Sequence, residues 1–186
     1  MSVHIAELVN SIPGIEGMSL LELGTYAGKN FEKFKAYLKH SVDIDHKPTF
    51  NMTTDEFFES EIGPYGIIFI DADHRVDQVV RDFNNSIRFC HKVLFVHDLF
   101  PNSEDQACDD GNWAGDGYKM LAWMYANNYE FYTLNCDSGL TMVFPPFKIV
   151  SKDIRITNYK QFLDAVKNME RYSLGQMKQI LRMKLS

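Results

Sequence analysis

Cysteine is scarce in this chain. Cys90, Cys108 and Cys136 are odd in number and widely spaced, which argues against a disulfide framework and against a cysteine metal knuckle. They read as packed or surface thiols. No apolar run is long enough to span a bilayer. The segment Met1 to Glu7 has no basic stretch followed by an apolar one, so nothing there reads as a secretory signal, and the reducing cytoplasm is the expected compartment. Also missing is the Gly-x-Gly-x-x-Gly of dinucleotide dehydrogenases, since Ala27-Gly28-Lys29 breaks it, and a nicotinamide cofactor is disfavoured.

What is present suits one globular unit. The chain has 186 residues, 45% of them hydrophobic, with 14 Phe and 9 Tyr, enough to bury a sizeable core but not to build two domains of ordinary size. The net charge of -6 is unevenly spread: residues 1 to 147 hold 10 Lys/Arg against 22 Asp/Glu, and residues 148 to 186 hold 9 against 3. An acidic body disfavours a polyanionic partner such as nucleic acid, because phosphate binding relies on clustered positive charge. The basic tail keeps that option open, as it does the pairing of subunits in a homo-oligomer. A basic helix docked on an acidic body accounts for the tail equally well.

Strand-like runs and helical periodicities alternate from residue 18 to about residue 127, the signal of βαβ units and a parallel sheet. Strands are expected at Met18 to Leu23, Val42 to Ile44, Thr49 to Met52, Gly66 to Asp71 and Val93 to Val96. Phe31, Phe34 and Leu38 recur at helical spacing after the first strand. Thr53-Thr54-Asp55-Glu56 reads as a capped helix start, and Val76, Val79, Val80, Phe83 and Ile87 form an apolar helical stripe. Leu99 to Gly117 is a long polar loop, of a length that is usually functional. Tyr118, Leu121, Ala122 and Tyr125 restore a helical face. Tyr129 to Leu134 and Leu140 to Phe144, joined through Asp137-Ser138-Gly139, predict a closing antiparallel pair. Beyond Pro145-Pro146, helical character returns around Phe162, Val166 and Met169, breaks near Gly175 and resumes around Met177, Ile180 and Leu181. The expected architecture is a Rossmann-like, doubly wound α/β sheet over residues 1–149, with a basic helical extension, residues 150–186, packed on the same domain.

In open α/β sheets a ligand sits beyond the carboxyl ends of the strands, and here those ends are unusually polar. Glu22-Leu23-Gly24-Thr25-Tyr26-Ala27-Gly28 turns out of the first strand; its glycines permit a tight turn and close approach of a ligand, helix amides after it can hold a carboxylate, and Glu22 suits a cationic amine. Asp43 or Asp45, ending the second strand, can accept hydrogen bonds from ribose hydroxyls. Asp71, His74, His97 and Asp98 end the later strands. His74 and His97 are the candidate proton acceptors, being imidazoles that exchange protons near neutrality. Asp71 with Asp98 could instead ligate Mg2+, a hard cation that prefers oxygen donors. In the long loop Asp105, Asp109, Asp110, Asn112 and Trp113 are candidates for recognising an acceptor, with Trp113 able to stack on a sugar or aromatic ring.

The succession Leu-Glu-Leu-Gly-Thr-Tyr-Ala-Gly, Val-Asp-Ile-Asp, Met-Thr-Thr-Asp-Glu-Phe-Phe, Ile-Phe-Ile-Asp-Ala-Asp-His and Leu-Phe-Val-His-Asp resembles the class I S-adenosylmethionine-dependent methyltransferases. It is most similar to the branch of small-molecule and sugar O-methyltransferases with bacterial and phage members. Gly115-Asp116-Gly117-Tyr118-Lys119 resembles a Gly-Asp-x-Trp-Lys element of that branch. The resemblance covers residues 18 to about 145. It implies S-adenosylmethionine as cofactor and a small hydroxylated methyl acceptor. It also implies that Glu22, Gly24, Thr25 and Gly28 contact the methionine portion, Asp43 the ribose, and Thr54 with Asp55 the adenine edge, while Asp71 sits beside the reactive centre. Metal-dependent relatives place Asp-Asn or Asp-Asp where this chain has Asp98-Leu99, so one expected ligand is missing. The Asn/Asp-Pro-Pro-aromatic motif of amino-methylating DNA enzymes is absent at Asp71, and Phe144-Pro145-Pro146-Phe147 reads as a strand terminator. Methylation of a macromolecule through the basic tail, or a non-catalytic cofactor-binding relative, are the competing readings.

Overall fold

The computed structural model describes residues 3–108, 113–135 and 138–186. Among them, seven strands form one sheet: β1 Ser19–Leu23, β2 Leu38–Asp43, β3 Phe50–Asn51, β4 Tyr65–Ile70, β5 Cys90–Val96, β6 Tyr132–Thr133 and β7 Thr141–Val143. Their spatial order is β3-β2-β1-β4-β5-β7-β6. The first five are mutually parallel, and β7 runs antiparallel to both β5 and β6. β4 explains why a parallel sheet reads as a continuous apolar run: all six of its residues are buried, Ile68 and Ile70 toward one face, Ile67 and Phe69 toward the other.

Helices cover both faces. α2 Thr54–Glu59, α3 Val76–Ser86, α4 Tyr118–Ala126 and α5 Tyr159–Val166 pack on the face of Leu21, Ile68 and Leu94; α1 Val3–Val9 and α6 Leu174–Leu185 pack on the face of Leu20, Ile67 and Phe95. α2 begins with the expected capping box: Thr53 Oγ1 accepts from the Glu56 amide, and Glu56 Oε2 accepts from the Thr53 amide.

Three expectations are corrected. The spacing of Phe31, Phe34 and Leu38 is not helical: only a single 3-10 turn, Phe31–Lys33, lies between β1 and β2. The connection instead runs extended, tied to the end of α1 by Asn10, whose side chain donates to the Lys33 carbonyl and accepts from the Lys35 amide. Phe34 and Ala36 bury alternately, and Leu38 already belongs to β2. That strand accordingly starts before Val42 and stops at Asp43. Gly175 does not break the tail; it lies inside α6, whose start is fixed by a capping box between Ser173 and Gln176.

The tail's side chains are invested in the fold. α5 buries Tyr159, Phe162 and Val166, and α6 buries Met177, Ile180 and Leu181. Lys178 Nζ lies 2.6 Å from Glu7 of α1, Lys184 pairs with Glu130, and the Arg171 guanidinium sits over Phe100. Tyr159 also donates its hydroxyl to the Pro101 carbonyl, pinning the start of the long loop. Of that loop's candidates, Asp109, Asp110 and Asn112 lie outside the described residues, as do Cys136 and Asp137. Asp105 is exposed in a 3-10 turn, Glu104–Gln106.

Candidate functional site

The carboxyl ends of β1, β2, β4 and β5 open into a cleft of two adjoining chambers, about 830 and 560 Å³, which share Gly24, Tyr26, Asp71 and Ala72. Asp43, Asp45, Thr54 and Asp55 line the larger chamber; Glu22, Thr25, His74, His97 and Asp98 line the smaller. Gly28 lines neither. Its left-handed φ of 71° serves the turn, where its amide donates to the Thr25 carbonyl.

Gly24 has a different reason to be glycine. It takes φ 81°, and a Cβ built there would lie 2.2 Å from the Asp71 carbonyl oxygen and 2.4 Å from Ala72 Cα. The ends of β1 and β4 thus touch through backbone, leaving no room for a side chain. Asp43 stitches the same region from the other side, Oδ2 accepting from the Tyr26 amide at 2.7 Å and Oδ1 from the Asp45 amide at 3.0 Å. No helix follows this turn, so the expected helix amides are not available to an anionic group. Lys29, which the sequence did not single out, lines the smaller chamber and supplies a cation instead.

Glu22 is buried, 1% exposed, on the α1/α6 face of β1. Its Oε2 is buried without a hydrogen-bond partner, and so are Thr25 Oγ1 and Asn30 Oδ1, all from residues lining the smaller chamber. Burial, reinforced by the nearby charge of Asp71, pushes the Glu22 carboxyl up to about 8. Glu22 Oε2 and Asn30 Oδ1, with the Thr25 hydroxyl beside Glu22, make a socket for a group rich in donors.

At the larger chamber Thr54 donates its hydroxyl to the buried Asp82 at 2.6 Å, and Gln78 Nε2 donates to the same Asp82 Oδ1 at 2.8 Å. The Thr54 hydroxyl proton is therefore committed to α3 rather than to the chamber. Asp55 keeps its carboxylate toward the chamber rim, 3.5 Å from Arg81 Nε. Asp82 and Gln78 were not legible as site residues, because a polar position on an amphipathic helix normally faces solvent.

One end of the smaller chamber gathers four titratable side chains, Asp71, His74, His97 and Asp98. His97 Nδ1 lies 3.0 Å from Asp71 Oδ1 and 3.4 Å from Asp98 Oδ2; His74 Nε2 lies 3.4 Å from Asp71 Oδ1 and 3.5 Å from Asp98 Oδ2. His74 Nδ1 bonds the Trp113 carbonyl. Burial works against every charge here, but the charges and hydrogen bonds of His97 and His74 outweigh it at Asp71 and hold that carboxyl low, while the two carboxylates raise both imidazoles. One ligand atom each from Asp71, His74 and Asp98 falls within 4.8 Å of the others, so the expected carboxylate pair gains an imidazole as third donor. Asp98 (φ 58°), Tyr26 (45°), His46 (62°) and Ser138 (56°) all line the cleft in left-handed backbone conformations, the kind of strain that gathers at functional sites.

The sheet order, with helices on both faces, is that of a Rossmann-like fold. Among solved structures the chain is similar to the O-methyltransferase from Bacillus cereus in complex with SAH (14% identity, TM-score 0.55, covering 77% of this chain and 82% of that one). It is likewise similar to cofactor-bound Rv0187 from MTB (16%, 0.57, 77% and 80%). The O-methyltransferase TomG from Streptomyces achromogenes in complex with SAM gives 12%, 0.50, 76% and 79%. These likenesses concern the fold. No protein-family model matches the sequence, and no curated protein does.

Proposed function

We propose that this protein is an S-adenosylmethionine-dependent methyltransferase acting on a hydroxyl of a small molecule, such as a sugar or secondary metabolite, in the cytoplasm. The observation that carries the reading is the single cleft along the strand ends, whose larger chamber presents Asp43 and Asp55 and whose smaller chamber, joined to it at Gly24 and Asp71, holds the buried Glu22 together with the histidine–carboxylate cluster. Two O-methyltransferases of similar fold, one solved with SAH and one with SAM, support it.

The residues fit the cofactor from end to end. Glu22, Thr25 and Asn30 take the ammonium; Lys29 takes the carboxylate; Asp43, with Asp45 beside it, takes the ribose hydroxyls; Asp55 accepts from the adenine edge, with Thr54 held by Asp82 as its floor. Gly24 and Gly28 shape the turn. When bound, the cofactor supplies a methyl group already activated as a sulfonium, so the protein has to align an acceptor oxygen and remove its proton. His74 takes that proton at Nε2, and Asp71 with Asp98 stabilise the imidazolium that forms, as a carboxylate does for any paired histidine base. His97 holds Asp71 in place. Trp113, 73% exposed and with its carbonyl bonded to His74, offers its indole to the acceptor ring.

A second reading of the same cluster is favoured by its donor set: Asp71, Asp98 and His74 would hold Mg2+ or another divalent ion that binds the acceptor oxygen. Docking of a nucleic acid or protein on the tail is disfavoured, since Lys178, Lys184 and Arg171 are engaged with the body, and residues 150–186 are proposed to belong to the same domain as residues 1–149. Among the described residues no helix is long and apolar enough to cross a membrane.

Calorimetry with S-adenosylmethionine and S-adenosylhomocysteine tests the reading. Binding of both is expected, weakened by Asp43→Ala. Absence of binding to either removes it, and binding without methylation of any acceptor in a cell extract reduces the protein to a non-catalytic relative.

A further inference from the structure

Residues 113–117 form a short strap that crosses over His74 and is tied to that residue, to the start of α3 and to the start of α4. Gly117 donates its amide to the His74 carbonyl at 3.0 Å. Gly115, with φ 57°, passes so close that a Cβ there would lie 2.3 Å from the His74 carbonyl oxygen and 2.6 Å from His74 Cβ. Asp116, only 6% exposed, accepts from the Val76 amide at 2.6 Å through Oδ1 and from Lys119 Nζ at 2.8 Å through Oδ2. It thereby caps α3 with a side chain from 40 residues away. Trp113, at the head of the strap, turns its carbonyl to His74 Nδ1.

The last contact decides a chemical question. A carbonyl oxygen only accepts, so Nδ1 must carry the hydrogen, and in the neutral ring the lone pair is left on Nε2. That nitrogen is the one beside Asp71 and Asp98. With the opposite tautomer His74 would place two lone pairs oxygen-to-nitrogen at Trp113 and could not accept a proton at Nε2. Gly115 matters because only glycine lets the backbone pass this close to His74.

We propose that the Trp113–Gly117 strap is the positioning device of His74: it fixes the Nδ1–H tautomer through the Trp113 carbonyl and anchors the ring's approach to the cleft through Asp116. This rests on the reading of His74 as the residue that exchanges a proton or holds a cation at Nε2. The strap itself touches neither cofactor nor acceptor through these contacts, so Gly115, Asp116 and Gly117 are positioning residues.

The experiment is nitrogen NMR on full-length protein labelled with 15N-histidine, with the His74 ring assigned from the signals lost in His74→Gln. In the wild type the neutral ring is expected to show Nδ1–H and an unprotonated Nε2. An Nε2–H tautomer overturns the proposal. In Gly115→Ala, and in Asp116→Ala should the first variant fail to fold, both tautomers are expected, with the affinity for S-adenosylhomocysteine changed by less than about twofold, since the cofactor residues lie on other segments. A folded variant that keeps the pure wild-type tautomer overturns the proposal. Calorimetry with S-adenosylhomocysteine on the same samples judges the methyltransferase reading separately. No binding together with the Nδ1–H tautomer removes that reading and leaves the strap; binding together with the Nε2–H tautomer does the reverse.

Discussion

His97 donates its Nδ1–H to Asp71 Oδ1 across 3.0 Å, joining the residues that end β5 and β4 where both leave the sheet. Both are mostly withdrawn from water, with side-chain exposures of 14% and 19%, so each draws much of its polar satisfaction from the other, with His74 beside Asp71 and Asp98 beside His97 supplying the rest. His97→Ala should therefore destabilise the fold by about 1–3 kcal/mol, the cost of stranding a largely buried acceptor. Adding Asp71→Asn should return part of that loss, because no charge is then left unpaired. Thermal unfolding of the two single variants and the double variant checks this; additive losses would mean that the pair is not coupled.

Gly24→Ala should be far more damaging than an ordinary glycine replacement. The residue sits at φ 81° and its new methyl would overlap the Asp71 carbonyl, so β1 and β4 must part at the floor of the cleft. A loss of about 2–4 kcal/mol and of measurable S-adenosylhomocysteine binding is expected. Gly28→Ala strains the same turn at φ 71° but meets only Glu32 Oε1 at 3.9 Å, and should cost about 1 kcal/mol with binding retained. Unfolding midpoints and calorimetry on the two variants separate the roles.

The parallel strands were legible because a strand buried on both faces must be apolar throughout, and their acids were legible because polar residues closing such runs have nowhere to go but the rim. What was not legible depended on partners remote in sequence. Phe31, Phe34 and Leu38 have helical spacing, but Asn10 captures the Lys33 and Lys35 backbone and holds the segment extended. Asp82 reads as solvated until Thr54 and Gln78 are seen to converge on it. The Gly-Asp-Gly of residues 115–117 reads as a loop motif; that its glycines serve His74, some 40 positions earlier, follows only from the fold.

With Glu22 holding the ammonium as proposed, cofactor binding should depend on pH. Its carboxyl is raised to about 8 by burial and by the charge of Asp71, so below that pH the free protein holds it mostly protonated. An ammonium ligand needs the carboxylate, and binding must then release a proton. Affinity for S-adenosylhomocysteine should rise by up to about tenfold per pH unit from 6 toward 8 and then level off. Glu22→Gln should bind more weakly at pH 8 and show a flat profile. Calorimetry in buffers of differing ionisation enthalpy counts the released proton directly, and a pH-independent affinity in the wild type would refute the assignment.

Asp82 costs the fold stability at neutral pH. It is fully buried, its Oδ2 has no partner, and burial raises its carboxyl from 3.8 to about 6. For an acid raised on folding, the native state binds the proton more tightly than the unfolded chain. The penalty is therefore absent below the unfolded value, grows as pH rises from about 4 to 6, and is complete above 6. Asp82→Asn keeps an acceptor for Thr54 and removes the charge. It should raise stability by about 1 kcal/mol at pH 7.5 and change little at pH 4, as read from denaturant midpoints. A loss at pH 7.5 would mean that the charge-assisted bonds from Thr54 and Gln78 outweigh the burial.

Removing residues 150–186 distinguishes a structural tail from a docking arm. The cut takes away Phe162 and Val166 from one face of the sheet and Met177, Ile180 and Leu181 from the other. At about 1.5–3 kcal/mol for each fully buried side chain, the loss equals the whole stability of an ordinary domain. The truncated chain should therefore fail to fold, whatever its acceptor. The sharper comparison leaves the core intact: Lys152, Lys160 and Lys167 are exposed, and reversing them to Glu should leave both the melting temperature and the turnover of a small acceptor unchanged. An acceptor that binds tightly only to the unreversed protein, with affinity falling steeply as salt is raised, would instead be a polyanion, because releasing its counterions is what ties affinity to salt. The methyl acceptor would then have to be sought among nucleic acids rather than small hydroxylated molecules.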